Sequence, residues 1–145
     1  MKSKGFTLIE LLVVIAIIGI LAAIVLVSLR QAPKKAKDTH VISAVEQTRA
    51  IAAMIYTDNE KYDDLCDGSG GFNLDSSNPY QSQLSALNDD FTKYNSTVQC
   101  WASGDDYCVE ATLVTDNTKA FCVDATGFAG QVTAGTCTGT NIACK

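Results

Sequence analysis

The sequence predicts an α+β chain: one long N-terminal helix, then a small antiparallel β-rich head stapled by disulfides. Three observations predict it. Residues 6–29 carry a single ionisable side chain, Glu10; residues 34–57 repeat apolar side chains at helical spacing; and six cysteines fall among short strand-like runs within residues 66–145. The expected organisation is a short basic leader at 1–5, a membrane-spanning helix at 6–29, its amphipathic continuation at 30–57 and a globular head at 58–145. With 145 residues there is room for one domain plus an anchor, and such a core gains from covalent staples.

The first element is set by length. Phe6 to Leu29 is 24 residues, about 36 Å of helix, enough to cross a hydrocarbon core of about 30 Å. The uninterrupted apolar stretch from Leu11 to Val27 exceeds an ordinary secretory h-region, and no small-x-small cleavage site follows it. Glu10 is the residue to explain. A carboxylate at the centre of a membrane helix costs about 2.5–3.5 kcal/mol on insertion scales, so it reads as functional by default and calls for a partner. A cut between Gly5 and Phe6 would create an α-ammonium close to it in sequence.

Residues 34–57 read as a second helical stretch, continuous with the first. Val41, Val45, Thr48, Ala52 and Ile55 recur at spacings of four and three, widened by Ala44, Ile51 and Met54, with Lys37, Glu46 and Arg49 opposite. From Asp58 to Asn78 the chain is rich in Asp, Gly, Ser and Asn, a loop whose most flexible part is expected at Gly68-Ser69-Gly70-Gly71. A short helix is expected around Gln81 to Leu87. Strands are expected at Thr97–Ala102, Tyr107–Val114, Lys119–Asp124 and Phe128–Thr133, the middle two as a hairpin. Ala134 to Lys145 is small and polar, hence a loop.

Six cysteines admit 15 connectivities, which sequence does not decide. The two arms of the hairpin favour Cys108–Cys122. The expected set is completed by Cys137–Cys144 tying the C-terminal loop and Cys66–Cys100 tying the long loop to the sheet. An even set of this kind persists as disulfides mainly in oxidising compartments. No metal is expected: Cys-x-x-Cys spacing is absent and the single histidine, His40, lies far from the cysteines. The acids Asp58, Glu60, Asp63, Asp64 and Asp67 lack the spacing of an EF-hand and read as a solvated loop.

Charge excludes one broad class. The chain carries −5 in all, and without residues 1–5, which hold Lys2 and Lys4, nine basic and sixteen acidic side chains leave −7. Residues 58–145 hold thirteen acids against Lys61, Lys93, Lys119 and Lys145, which argues against general nucleic-acid binding. No nucleophile elbow, phosphate loop or HExxH occurs, so no catalytic residue and no cofactor are expected. Asn95-Ser96-Thr97 is an N-glycosylation sequon; Tyr80, Tyr94 and Trp101 read equally as core or adhesive surface. Topology receives two opposed signals. Arg30, Lys34, Lys35 and Lys37 outweigh Lys2 and Lys4, favouring a cytoplasmic C-terminal side, whereas the cysteines favour export; the cysteines are given precedence.

Lys4-Gly5-Phe6-Thr7-Leu8-Ile9-Glu10, with the apolar run through Gly19 to Ile24, resembles the N-terminus of type IV pilins and pseudopilins. The likeness is close over about the first 30 residues and architectural beyond. It implies removal of the leader after Gly5 by a prepilin peptidase, N-methylation of Phe6, and assistance of assembly by Glu10. It also implies that the second half of the helix packs under a β-sheet. The implied partners are identical or related subunits in a helical polymer, the peptidase, an inner-membrane assembly platform, and the membrane before assembly. The implied location is the cytoplasmic membrane with the C-terminus outside, then an extracellular filament or periplasmic pseudopilus. Ala16, Gly19, Ala22 and Ala23 offer small surfaces where helices approach closely. The chain departs from many members in lacking a mid-span proline; its first is Pro33. The leading expectation is a structural pilin serving adhesion, motility or DNA uptake, and not an enzyme. The alternatives are a pseudopilin of a type II secretion or competence system and, in another class, a non-polymerising, single-span surface binding module.

Overall fold

The computed structural model describes residues 5–145, so the expected leader, Gly5 apart, lies outside the described residues. The chain divides into two compact units, one reaching to Lys34 and the other Lys35–Lys145. Helix α1, Leu8–Asn59, contributes to both and contains Pro33, which forfeits one backbone hydrogen bond. In the first unit the described apolar side chains of α1 are exposed, from Leu8 at 78% through Ile24 at 63%, as is Phe6 before it.

The second unit is built on the amphipathic stretch of α1. Val41, Ala44, Val45, Thr48, Ile51, Ala52 and Ile55 are buried, the stripe expected from spacings of three and four. Met54, expected to widen it, is exposed. Helix α2, Gln81–Lys93, adds Leu84, Leu87 and Phe91; it outruns the expected end at Leu87 because Phe91 continues its apolar face past the exposed Asp89 and Asp90.

Four antiparallel strands follow in the order β1-β2-β3-β4: Val98–Ser103, Asp106–Thr112, Lys119–Asp124 and Ala129–Thr133. The period of two along each strand sorts side chains to opposite faces. Cys100, Val109 and Val123 face one another in register and join the core with α1 and α2, together with Tyr107 and Ala111. On the other face Trp101, Cys108, Cys122 and Val132 pack with Cys137, Ile142 and Cys144 of the C-terminal segment. The sheet is thus covered by helices on one side and by the last dozen residues on the other.

The disulfides are Cys66–Cys100, Cys108–Cys137 and Cys122–Cys144. The expected Cys108–Cys122 and Cys137–Cys144 pairs are therefore replaced, and register explains why. Cys108 stands opposite Asp124 and Cys122 opposite Glu110, so the two cysteines share a face but sit diagonally. Diagonal neighbours lie about 7–8 Å apart by Cα, beyond ordinary disulfide reach of about 7 Å. The observed pairs span 5.8 Å each. The glycine loop also differs from expectation. Asp67 accepts the N–H groups of Ser69 and Gly71, and Cys100 donates its N–H to Gly70 O, so the loop is laid on the sheet. Gly70 has φ +103° and a Cβ there would meet Gln99 Oε1 at 2.9 Å; only glycine fits.

Candidate functional site

The start of α1 is a capping box. Thr7 precedes the first helical residue, and its N–H and hydroxyl donate to Glu10 Oε2 at 2.9 and 2.8 Å. Glu10 returns its own N–H to Thr7 Oγ1 at 3.3 Å. Such reciprocal bonds satisfy donors that a helix N-terminus leaves orphaned. One carboxylate oxygen is therefore occupied within the chain. Glu10 Oε1 accepts no hydrogen bond among the described residues, and Glu10 is exposed. Thr7 was absent from the expected site, although Thr-x-x-Glu before an apolar run is its sequence signature.

Around Glu10, α1 is long and apolar enough to cross a membrane by length and composition. Space for a close partner exists at Gly19, where an added Cβ would meet nothing within 4 Å. Ala16, Ala22 and Ala23 are exposed.

In the second unit, carboxylates organise loops. Asp38 of α1 is buried and accepts the N–H groups of Val114 and Thr115, at 2.5 and 3.2 Å, and the Thr115 hydroxyl. Glu110 of β2, 1% exposed, accepts the N–H groups of Gly135, Thr136 and Cys137. Asp124 of β3, 2% exposed, accepts those of Thr126, Phe128 and Cys144 and the Thr126 hydroxyl. Burial alone would raise the Asp124 pKa, but these donors together hold it below the ordinary carboxylate value.

The remaining sequence candidates disperse. Asp58 accepts from the Tyr80 hydroxyl, Asp64 from Asn59 at 2.6 Å, and Asp63 from Gly104 N–H at 2.8 Å, so each of these acids serves a local contact. Among the described residues, one group of His, Cys, Asp or Glu brings its ligand atoms within 4.8 Å: Cys108, Cys122, Cys137 and Cys144. All four are disulfide-bonded and offer no thiolate. His40 stacks on Tyr94 with centroids 5.2 Å apart. Tyr80 is buried, Trp101 is half-buried under the C-terminal segment, and Asn95 is exposed with φ +58° at the end of α2.

One comparison with known proteins covers the segment that holds the capping box. A family model described as the prokaryotic N-terminal methylation motif matches residues 1–26. The type IV wide pilus major component PilA4 of Thermus thermophilus is 48% identical over 61 residues, 42% of this chain and 47% of that protein. The type IV major fimbrial protein FimA of Dichelobacter nodosus is 41% identical over 76 residues, 51% of this chain and 48% of that protein. The type IV major pilin PilA of Myxococcus xanthus is 31% identical over 85 residues, covering 59% and 38% respectively. No solved structure matches.

These likenesses define a class of proteins with a methylation-type N-terminal helix. Within that class the chain is similar to type IV pilins over part of its length. It spans about half the length, or less, of the curated relatives it matches.

Proposed function

We propose that the chain is a structural subunit of a type IV pilus, anchored in the membrane through α1 and polymerised through the same helix. The observation that carries this reading is Glu10, held by Thr7 through one oxygen at the start of an exposed apolar helix. Cleavage after Gly5 frees the amine of Phe6, which is then methylated. In the filament, apolar helices bundle and exclude water, where an unpaired carboxylate is costly and a paired one tolerable. The ammonium of Phe6 on a neighbouring subunit supplies the pair through Oε1, while Thr7 keeps Oε2 satisfied. One such contact, repeated without closure, generates a helical fibre.

The subunit is a substrate of prepilin peptidase and a client of a membrane assembly platform, and carries out no catalysis. Its head lies outside the cytoplasmic membrane before assembly, an orientation supported by three disulfides, which persist in oxidising compartments. Relatives named as major pilins support the pilus reading over a secretion pseudopilus.

Glu10→Ala tests the proposal. The variant is expected to be processed normally and to accumulate in the membrane, with filament incorporation reduced at least tenfold in sheared-filament fractions. Normal filaments from it would reject the pairing role, whereas the absence of filaments from the parent chain would favour a non-polymerising anchor. Gly5→Leu is expected to block maturation, and unchanged processing would reject the cleavage junction.

A further inference from the structure

Strands β2 and β3 carry the same tripeptide pattern, Cys108-Val109-Glu110 and Cys122-Val123-Asp124. In both, the valine turns to the helical core while the cysteine and the acid face the C-terminal segment. Each acid accepts the N–H of the segment cysteine that bonds to the strand cysteine two residues before it. Glu110 takes the N–H of Cys137 at 3.2 Å, with those of Thr136 at 3.1 Å and Gly135 at 2.6 Å, and Cys137 is bonded to Cys108. Asp124 takes the N–H of Cys144 at 2.9 Å, and Cys144 is bonded to Cys122.

The four sulfurs need some rule of choice. Across the two bonds, Cys108 and Cys122 approach to 3.5 Å, Cys108 and Cys144 to 3.8 Å, and Cys122 and Cys137 to 3.4 Å. Four cysteines admit three pairings; register disfavours the one with Cys108–Cys122, and sulfur proximity does not separate the two that remain. Chain length does not either. Cys108 lies 29 residues from Cys137 and 36 from Cys144, a difference worth a factor of about 1.4 in loop closure. The carboxylates do discriminate. Both are almost fully buried, and a buried carboxylate without donors is strongly unfavourable. The segment therefore docks with the N–H of Cys137 on Glu110 and that of Cys144 on Asp124.

We propose that Glu110 and Asp124 form a pairing template that positions Cys137 against Cys108 and Cys144 against Cys122 before either bond closes. In each closure two thiols lose two protons and two electrons to a disulfide oxidant such as oxidised glutathione, which departs as two thiols. The template's positioning residues take no part in that electron transfer.

A competition tests it. In full-length Cys122→Ser protein, reduced and then refolded in detergent with oxidised and reduced glutathione, Cys108 must choose between Cys137 and Cys144. Peptide mapping by mass spectrometry reads the ratio, and Cys66–Cys100 reports a folded head. Adding Glu110→Gln is expected to lower the Cys137:Cys144 ratio about fivefold, since a charge-assisted acceptor is lost. Adding Asp124→Asn is expected to lower it as well, because Cys144 is released from its place beside residue 122. General unfolding would also lose Cys66–Cys100. Lowered ratios in both variants with Cys66–Cys100 intact support the template; unchanged or raised ratios overturn it.

Discussion

Asp38 holds Thr115 by both its backbone N–H and its hydroxyl, joining the amphipathic stretch of α1 to the β2–β3 turn. Together with the N–H of Val114 this gives one buried carboxylate three donors from a segment 76 residues or more away in sequence. Asp38→Ala is expected to destabilise the head by about 1–3 kcal/mol, leaving two backbone donors of the turn without their acceptor. Urea unfolding followed by the fluorescence of Trp101, the single tryptophan, would measure it. A midpoint equal to that of the parent protein would reject the role.

Asp124 gives the head an acid-sensitive contact. Its folded pKa lies below the ordinary value, burial opposing and the Thr126 hydroxyl and three backbone N–H donors outweighing it. A depressed folded pKa contributes stability that is present above the unfolded value of about 3.9 and lost as pH falls through the folded one. Stability is therefore expected to fall more steeply below about pH 4 in the parent than in Asp124→Asn. Equal slopes in acid unfolding titrations would contradict this.

Tyr107 predicts the opposite limb. Burial, with Tyr62 nearby and Arg49 opposing, raises its phenol to about 12. A raised folded pKa contributes stability present below the unfolded value of about 10, and this is lost as pH climbs through the folded one. Phenolate absorbance should show one tyrosine ionising late in the folded protein, missing from Tyr107→Phe, with stability declining between about pH 10 and 12.

Thr7 separates capping from charge at the helix start. Thr7→Val removes the hydroxyl that bonds Glu10 while keeping the branched shape, at a cost of about 1 kcal/mol of capping. Filament yield is expected to fall less than in Glu10→Ala, and Thr7→Ser to restore it. A defect in Thr7→Ser as deep as in Thr7→Val would show that the methyl group, and not the hydroxyl, matters.

Much of this architecture was legible because it rests on periodicity. The 3.6-residue stripe from Val41 to Ile55 is a local pattern that buries the face it predicts, Met54 apart, and the runs at Tyr107–Val114 and Lys119–Asp124 pair as the expected hairpin. Two features were not. Disulfide pairing depends on register: whether Cys108 meets Cys122 directly or diagonally turns on a two-residue offset that the hairpin residues do not reveal. The clamps at Asp38, Glu110 and Asp124 use backbone N–H groups, which every non-proline residue carries and no motif marks. The repeated Cys-Val-acid tripeptide was the one sequence signal for two of them. At the helix start the signal was plain in Thr7 and Glu10, but the apolar run drew attention to the charge of Glu10 before its hydrogen bonds.

The mass and N-terminal sequence of the chain recovered from its native cell test the filament role most directly. Processing of the proposed kind yields a chain beginning at N-methylated Phe6, with Glu10 as the fifth residue from the ammonium-bearing end of each subunit. A chain that retains Met1, or begins at any other residue, would remove the partner proposed for Glu10 and contradict assembly through this helix.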